Sequence, residues 1–226
     1  MPSFKYEIHA HTSETSRCSE ITGRKLVKYY QQCGFSGLCV TDHFLNGNTT
    51  VPPDLTWSEQ IDLFCRGYEK ALEEGKKTGF KVFFGWEYSF RGTDLLTYGL
   101  DKKWLLEHPD LLDYSITEYC ELVHESGGLL VHAHPFRESD YIEMIRLLPR
   151  RVDAVEIINT QRKDFVNDRA REYAVNYELL KIAGSDTHNS GSEKLAGIKT
   201  EQPLKKIDDL TTAILNNNYK NFVIQN

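Results

Sequence analysis

Histidines and acids recurring in short motifs are the residues of this sequence best suited to chemistry. His9 and His11 stand in KYEIHAHTS, His43 in TDHF, Glu87 in GWEY, His132 and His134 in VHAHPF, and Asp186 and His188 in GSDTH. Imidazole nitrogen with carboxylate oxygen is the ligand set of zinc, manganese and iron(II). Each residue alone has a bland explanation: a polar pair leaving a strand, a hydrogen-bonded core histidine, a capping acid. Together they exceed what one tetrahedral ion needs. They imply a cluster of two or three ions, with a carboxylate such as Glu87 or Asp186 able to bridge. Closely spaced ions suit phosphate-ester hydrolysis, because they bind phosphoryl oxygens, activate a bound water and steady the leaving oxygen.

Residues so far apart in the chain need a scaffold to gather them. Tyr6, Ile8 and Ala10 alternate with Glu7, His9 and His11 as in a strand that runs into a polar loop. Leu26, Val27, Tyr30 and Cys33 follow at helical spacing, with Thr22 as cap and Gly34 as stop. Leu38-Cys39-Val40 reads as a buried strand ending in Thr41-Asp42-His43. One helix is expected over 58–78, a third strand in KVFFGWEYSF and a fourth in DLLTYGLD. A helix over 115–126, with Thr117 as its cap, precedes a fifth strand, GLLVHAHPF. A helix around 141–148 leads to a sixth, VDAVEIINT, and a helix over 163–179 to a seventh, LKIAGSDTH. GIKTEQ, a short helix around 207–215 and FVIQ form the tail. This alternation predicts a parallel sheet covered by helices, either a closed barrel or a doubly wound sheet. Every residue named for chemistry then falls at or just past the C-terminal end of a strand, the rim where such folds place active sites. His108 and His124 lie outside this set. His132, two residues from His134 on one strand, is expected on the same face, as a ligand or beside one.

A chain of 226 residues without repeat or linker is read as a single domain, 1–226. A formal net charge of −6 argues against a protein devoted to gripping long nucleic acid. The five cysteines are odd in number and lack CxxC spacing, which argues against a disulfide framework and a zinc knuckle. Cys39 and Cys120 read as core, whereas Cys18, in the loop after the first histidine pair, is a candidate to line the site. No apolar run is long enough to span a bilayer and no signal peptide is evident, so a soluble, cytoplasmic protein is expected.

In their order, HAH, TDH, GWE, HAHP and GSDTH closely resemble the polymerase and histidinol phosphatase (PHP) family of metal-dependent phosphoesterases, from Tyr6 to about Gly197. The resemblance implies a distorted, TIM-barrel-like (β/α)7 barrel of seven strands, with a trinuclear metal site at the strand C-termini. By position, His9, His11, Glu87 and Asp186 match the first metal site, with Glu87 the bridge. His43, His134 and His188 match ligands of the other ions, and His132 falls where the family is often apolar. The family's first-loop ligand has Glu20 as its candidate here, with Glu14 behind it. The fourth-strand histidine of many members is missing, and GTDLLTYG offers only Asp94 and Thr97. The implied cofactors are two or three divalent ions of zinc, manganese or iron. His43, Glu87, Asp186 and His188 are the expected catalytic set, around a metal-held water as nucleophile. Arg137 and Arg17 are candidates for a substrate phosphate, with Arg24 a further one. Glu156 and Asn159, ending the sixth strand, are placed to orient ligands or substrate. The expected activity is hydrolysis of a small phosphomonoester. The alternatives are a phosphodiesterase or nuclease on short oligonucleotides, a non-catalytic metal-dependent binding module, and an amidohydrolase.

Overall fold

A computed structural model describes residues 3–225. Runs rich in branched and aromatic residues form strands because such side chains fill a pleated surface. They are β1 (Phe4–Ala10), β2 (Gly37–Val40), β3 (Lys81–Phe90), β4 (Thr93–Tyr98), β5 (Leu129–Ala133), β6 (Ala154–Asn159), β7 (Leu180–Gly184), β8 (Lys194–Thr200) and β9 (Lys220–Gln225). The helices are α1 (Gly23–Gln32), α2 (Trp57–Phe64), α3 (Arg66–Thr78), α4 (Lys102–Glu107), α5 (Ile116–Glu125), α6 (Asp164–Asn176) and α7 (Ile207–Leu215). The strands build one sheet in the order β7-β6-β5-β4-β3-β2-β1-β8-β9. Past the end of β7 the sheet returns to β1. Thr187 N–H donates to the His9 carbonyl at 3.3 Å, and His11 N–H to the Thr187 carbonyl at 3.0 Å. The result is a nearly closed barrel.

The expectation of seven strands in a parallel sheet needs correcting: among the described residues the sheet has nine strands and is mixed. Parallel pairing links β1 with β2, β2 with β3, β5 with β6 and β6 with β7. β4, however, runs antiparallel to both β3 and β5. The cause is local. Arg91 and Gly92, with φ of 50° and 83°, close a two-residue hairpin, far too short for a parallel crossover. The tail adds β8, antiparallel to β1, and β9, antiparallel to β8.

Three helical expectations also change. The helix expected over 58–78 starts at Trp57 and is split at Cys65 into α2 and α3. Ser115 rather than Thr117 caps α5, in a reciprocal box with Glu118. No helix forms over 141–148. There Ile142 packs over Gly92, and Arg146 donates to the Arg91 carbonyl at 2.8 Å, so the segment is drawn across the β3–β4 turn.

The barrel is filled. Ile8, Phe83, Leu96, Val131 and Ile182 meet in its interior, joined by Leu210 and Ile214 of α7. Further apolar clusters pack helices on the outside, α1 and α3 on one part of the wall and α2, α5 and α6 on another.

Gly197 of β8 lies where a Cβ would meet the Tyr6 carbonyl oxygen, a backbone atom that cannot swing aside. Gly197→Ala is expected to cost about 1–3 kcal/mol, seen as a lower urea midpoint with an unchanged slope. Gly191→Ala, where a Cβ finds ordinary space, should leave the midpoint unmoved.

Candidate metal centre

Three backbone irregularities aim the side chains. Simple alternation in β1 would put His9 on the face opposite the interior residue Ile8. A register shift between Glu7 and Ala10 breaks that alternation. The fully buried Glu7 carboxylate holds it, accepting from the backbone N–H groups of Ile8 (2.9 Å), His9 (2.8 Å) and Ser185 (3.0 Å), and from the Tyr30 hydroxyl (2.7 Å). At the ends of β5 and β7, His134 (φ 26°) and Asp186 (φ 54°) adopt left-handed backbone, a strain often found at functional sites. Between β2 and β3, pairing continues past the end of β2 as a bridge that sets His43 alongside Glu87.

Together these place seven side chains in three overlapping groups able to hold a cation: His11, His43 and His188; His9, Glu87 and His134; and His9, His11 and Asp186. Within each group the ligand atoms lie within 4.8 Å of one another. Glu87 faces two ways. Its Oε1 lies 3.1 Å from His134 Nε2 and 3.6 Å from His9 Nε2, and its Oε2 lies 2.7 Å from His43 Nδ1 and 3.7 Å from His11 Nε2. Asp186 Oδ1 lies 3.2 Å from His11 Nε2 and 3.5 Å from His9 Nε2.

The partners on the far side of each ring decide which nitrogen carries the proton. His9 Nδ1 donates to Glu156 Oε1 at 2.8 Å, which leaves a lone pair on Nε2 facing the centre. The Ser16 hydroxyl gives its proton to Asp42 (2.7 Å), so it accepts from His11 Nδ1 (3.2 Å) and His43 N–H (3.0 Å). His11 Nε2 is thereby freed toward the centre. His188 Nδ1 donates to the Asp186 carbonyl at 2.8 Å, with the same effect. His9 Nε2 and His11 Nε2 are buried without a hydrogen-bond partner, and the close approach of His43 Nδ1 to Glu87 Oε2 lacks hydrogen-bond geometry. Orphaned lone pairs turned toward one point are what bound cations satisfy, so the residues present fit a metal cluster.

The carboxylates and imidazoles of the cluster shift one another's ionisation. Burial alone would raise Glu87, but His43, His134 and His9 hold it well below the usual carboxylate range. Burial is likewise overcome at Asp186, by His9, His11 and His134. Burial also opposes charge on His9, yet Glu156, Asp186 and Glu87 raise it well above an ordinary imidazole. His11 goes the other way, pushed well down by burial and by the charges of His43 and His188. Burial lifts Asp42 to about 6 against the donors Thr12 and Ser16. Burial also acts to raise the Cys18 thiol, but contacts with the His188 and His43 rings bring it down to about 6.

Several residues singled out in the sequence sit elsewhere. Regular alternation lasts through β5, so His132 faces outward while the turn at His134 faces in. The His132 ring stands edge-on to Tyr173 of α6, with centroids 5.9 Å apart, and burial drives its pKa down to about 3. It is no part of the cluster. The Glu20 side chain is exposed, and only its backbone N–H reaches back, to the His188 carbonyl at 2.8 Å. Glu14 accepts from Gly23 N–H at 2.9 Å, at the start of α1, and meets Lys70 at 3.3 Å. Exposed Arg17 donates to the Thr49 carbonyl, and Arg24 pairs with Glu73 at 2.6 Å. Arg137 lies nearer, joined to Asp94 at 2.8 Å and to the Tyr141 hydroxyl. Asp94 is committed to Arg137 and Ser89, and Thr97 to Tyr119. Glu156 and Asn159 do meet the cluster. Asn159 Nδ2 bonds both Glu156 (2.9 Å) and Asp186 (3.2 Å). Sequence reasoning missed Arg162, whose guanidinium lies 2.9 Å from Asp186 Oδ2; its only cue was a position just past the sixth strand.

No family model and no curated protein matches this chain. Solved structures do resemble it. One is a two-domain protein from Bacteroides vulgatus containing a predicted PHP-like metal-dependent phosphoesterase, with TM-score 0.72 and 13% identity over 98% of this chain. The chain spans 65% of that protein's length. Another, from Bifidobacterium adolescentis, is described as a candidate metal-dependent phosphoesterase, with TM-score 0.55 and 17% identity over 95% of this chain and 96% of its own. An amidohydrolase from Chromobacterium violaceum, with bound sulfate and no metal, has TM-score 0.58 and 15% identity over 98% of both chains. The chain has the fold of the PHP-like metal-dependent phosphoesterases.

The two histidines of HAHP should separate experimentally. His134→Ala is expected to lower the zinc retained after equilibrium dialysis, as measured by elemental analysis. His132→Leu should retain the wild-type amount and unfold at the same temperature or higher, because it removes a buried nitrogen that has no partner. Equal zinc loss in both variants would return His132 to the ligand set.

Proposed function

We propose that the chain is a metal-dependent phosphoesterase that hydrolyses a small phosphomonoester at a centre of two or three divalent ions. The observation that carries this reading is the set of three overlapping ligand groups, which share His9 and His11. One metal would leave several of these donors idle. Closely spaced divalent ions, when bound, neutralise phosphoryl oxygens, activate water and steady the leaving oxygen.

The chain's own residues have distinct tasks in this reading. His9, His11 and His188 offer lone pairs because Glu156, Ser16 and the Asp186 carbonyl hold their other nitrogens as donors. Glu87, with one oxygen turned to His134 and His9 and the other to His43 and His11, is placed to bridge. Asp186 is held by Asn159 and Arg162. Arg162 and Arg137 each keep a buried Nε–H without a partner. A guanidinium fork with a spare donor is suited to a phosphoryl oxygen. Two such groups beside the centre fit a doubly charged monoester better than a singly charged diester. Among the described residues, no helix is long and apolar enough to cross a membrane, and the net charge is −6. The negative charge disfavours long nucleic acid as substrate.

Chelated protein is expected to be inactive and to regain hydrolysis of p-nitrophenyl phosphate on addition of zinc, manganese or iron(II), faster than that of bis-p-nitrophenyl phosphate. Asp186→Asn should abolish the recovery. Arg162→Ala removes a charge-assisted hydrogen bond of about 1.5–3 kcal/mol, which predicts a rise in KM of roughly tenfold or more. Faster turnover of the diester would replace the monoesterase reading. No turnover of either ester by metal-loaded protein would exclude both.

A further inference from the structure

We infer that the centre takes two cations and no third, and that the guanidinium groups of Arg137 and Arg162 supply the further positive charge beside it. The inference rests on the phosphoesterase reading and fixes the number of ions that reading leaves open.

The count follows from lone pairs. A neutral imidazole offers one, on the nitrogen that carries no proton, and so serves one ion. His9 Nδ1 is spent on Glu156 and His11 Nδ1 on Ser16, which leaves each ring only its Nε2. Yet His9 stands in two of the three ligand groups, and so does His11. The groups therefore cannot all be filled at once. The pair that shares no residue is His11, His43 and His188 with His9, Glu87 and His134. Filling these two uses every imidazole of the cluster and leaves only Asp186 from the third group. Asp186 Oδ1 lies 3.2 Å from His11 Nε2 and 3.5 Å from His9 Nε2, so it adjoins both filled groups. Glu87 likewise turns Oε1 to His134 and Oε2 to His43. Two shared carboxylates thus bring each ion to the roughly four donors that zinc takes.

A third ion would have to draw on the surrounding acids, and these are committed. Glu156 accepts from His9, from the His134 backbone and from Asn159. Asp42 accepts from Thr12 and Ser16. Asp94 Oδ2, 4.0 Å from His134 Nδ1, pairs with Arg137 at 2.8 Å. Asp186 Oδ2, 3.8 Å from His134 Nε2, pairs with Arg162 at 2.9 Å. The acids at both nitrogens of the His134 ring therefore each carry a guanidinium. Fixed positive charge there repels a further cation and suits a phosphoryl oxygen. Asp94 and the Tyr141 hydroxyl hold the two terminal nitrogens of Arg137, which presets the fork before any anion arrives.

Zinc alone, titrated into the chelated full chain and counted by elemental analysis, tests the number without reference to turnover. Wild type is expected to saturate at two ions per chain. After dialysis, His134→Ala and His188→Ala, each weakening a different group, should retain one. Inorganic phosphate, followed by calorimetry on the two-zinc protein, tests the arginines. Arg137→Ala should weaken its binding about tenfold or more, with the zinc count still two. The double variant Asp94→Asn/Arg137→Gln, which leaves no unpaired buried acid, should do the same. Three ions or one on wild type overturns the count and leaves a metal centre standing, whereas none overturns the centre itself. Phosphate affinity unchanged in both arginine variants overturns the role given to the guanidinium.

Discussion

The Glu7 carboxylate is fully enclosed, and burying such a charge is costly unless donors surround it. Here backbone N–H groups from β1 and from the end of β7, with the Tyr30 hydroxyl, surround it. The arrangement works only if β1 is kinked where it is. The kink then decides what the strand presents, with Tyr6 and Ile8 inside the barrel, Ala10 packed toward α1, and His9 and His11 turned to the rim. An acid with no place in the cluster thus sets the position of its two central histidines. Without it, ordinary pleating would hide His9 behind the wall.

A second layer works through proton placement. Glu156, Ser16 with Asp42, and the Asp186 carbonyl each occupy the outer nitrogen of a ring and so dictate what the inner nitrogen can do. Glu156 reaches further, accepting from the His134 backbone at 3.0 Å and from Asn159 at 2.9 Å. One carboxylate thereby coordinates the behaviour of β1, β5 and β6. Preorganisation of this kind means that little has to rearrange when a charged partner arrives.

What could be read from the sequence follows from which forces are local. Strand ends, helix caps such as Thr22, and the clustering of polar residues at one rim express short-range pattern, and they are visible in it. The departures turn on single backbone angles or on contacts with distant segments. β4 is reversed because the Arg91-Gly92 turn is tight, a matter of two φ angles. The segment over 141–148 carries a helical pattern but is drawn over the hairpin by Ile142 and Arg146. His132 and His134 share a motif, yet a single left-handed residue sends their side chains to opposite sides of the wall. Glu20 was the natural acid to choose in the first loop, but the loop's serines set its path and leave that acid in solvent. Arg162 belongs to no motif, and only folding brings it to Asp186.

The closure of the barrel has a mechanical meaning. β1 divides its free edge, pairing with β8 along its first half and meeting only the stretch around Thr187 along its second. That short seam is the weakest join in the wall. His9 and His11 stand on one lip of it, and Asp186 and His188 on the other. A cation held between the lips would act as a rivet, joining the first strand to the seventh. An ion serving the proposed reaction would also fasten the cylinder, so shape and reactivity would be gained or lost in one event.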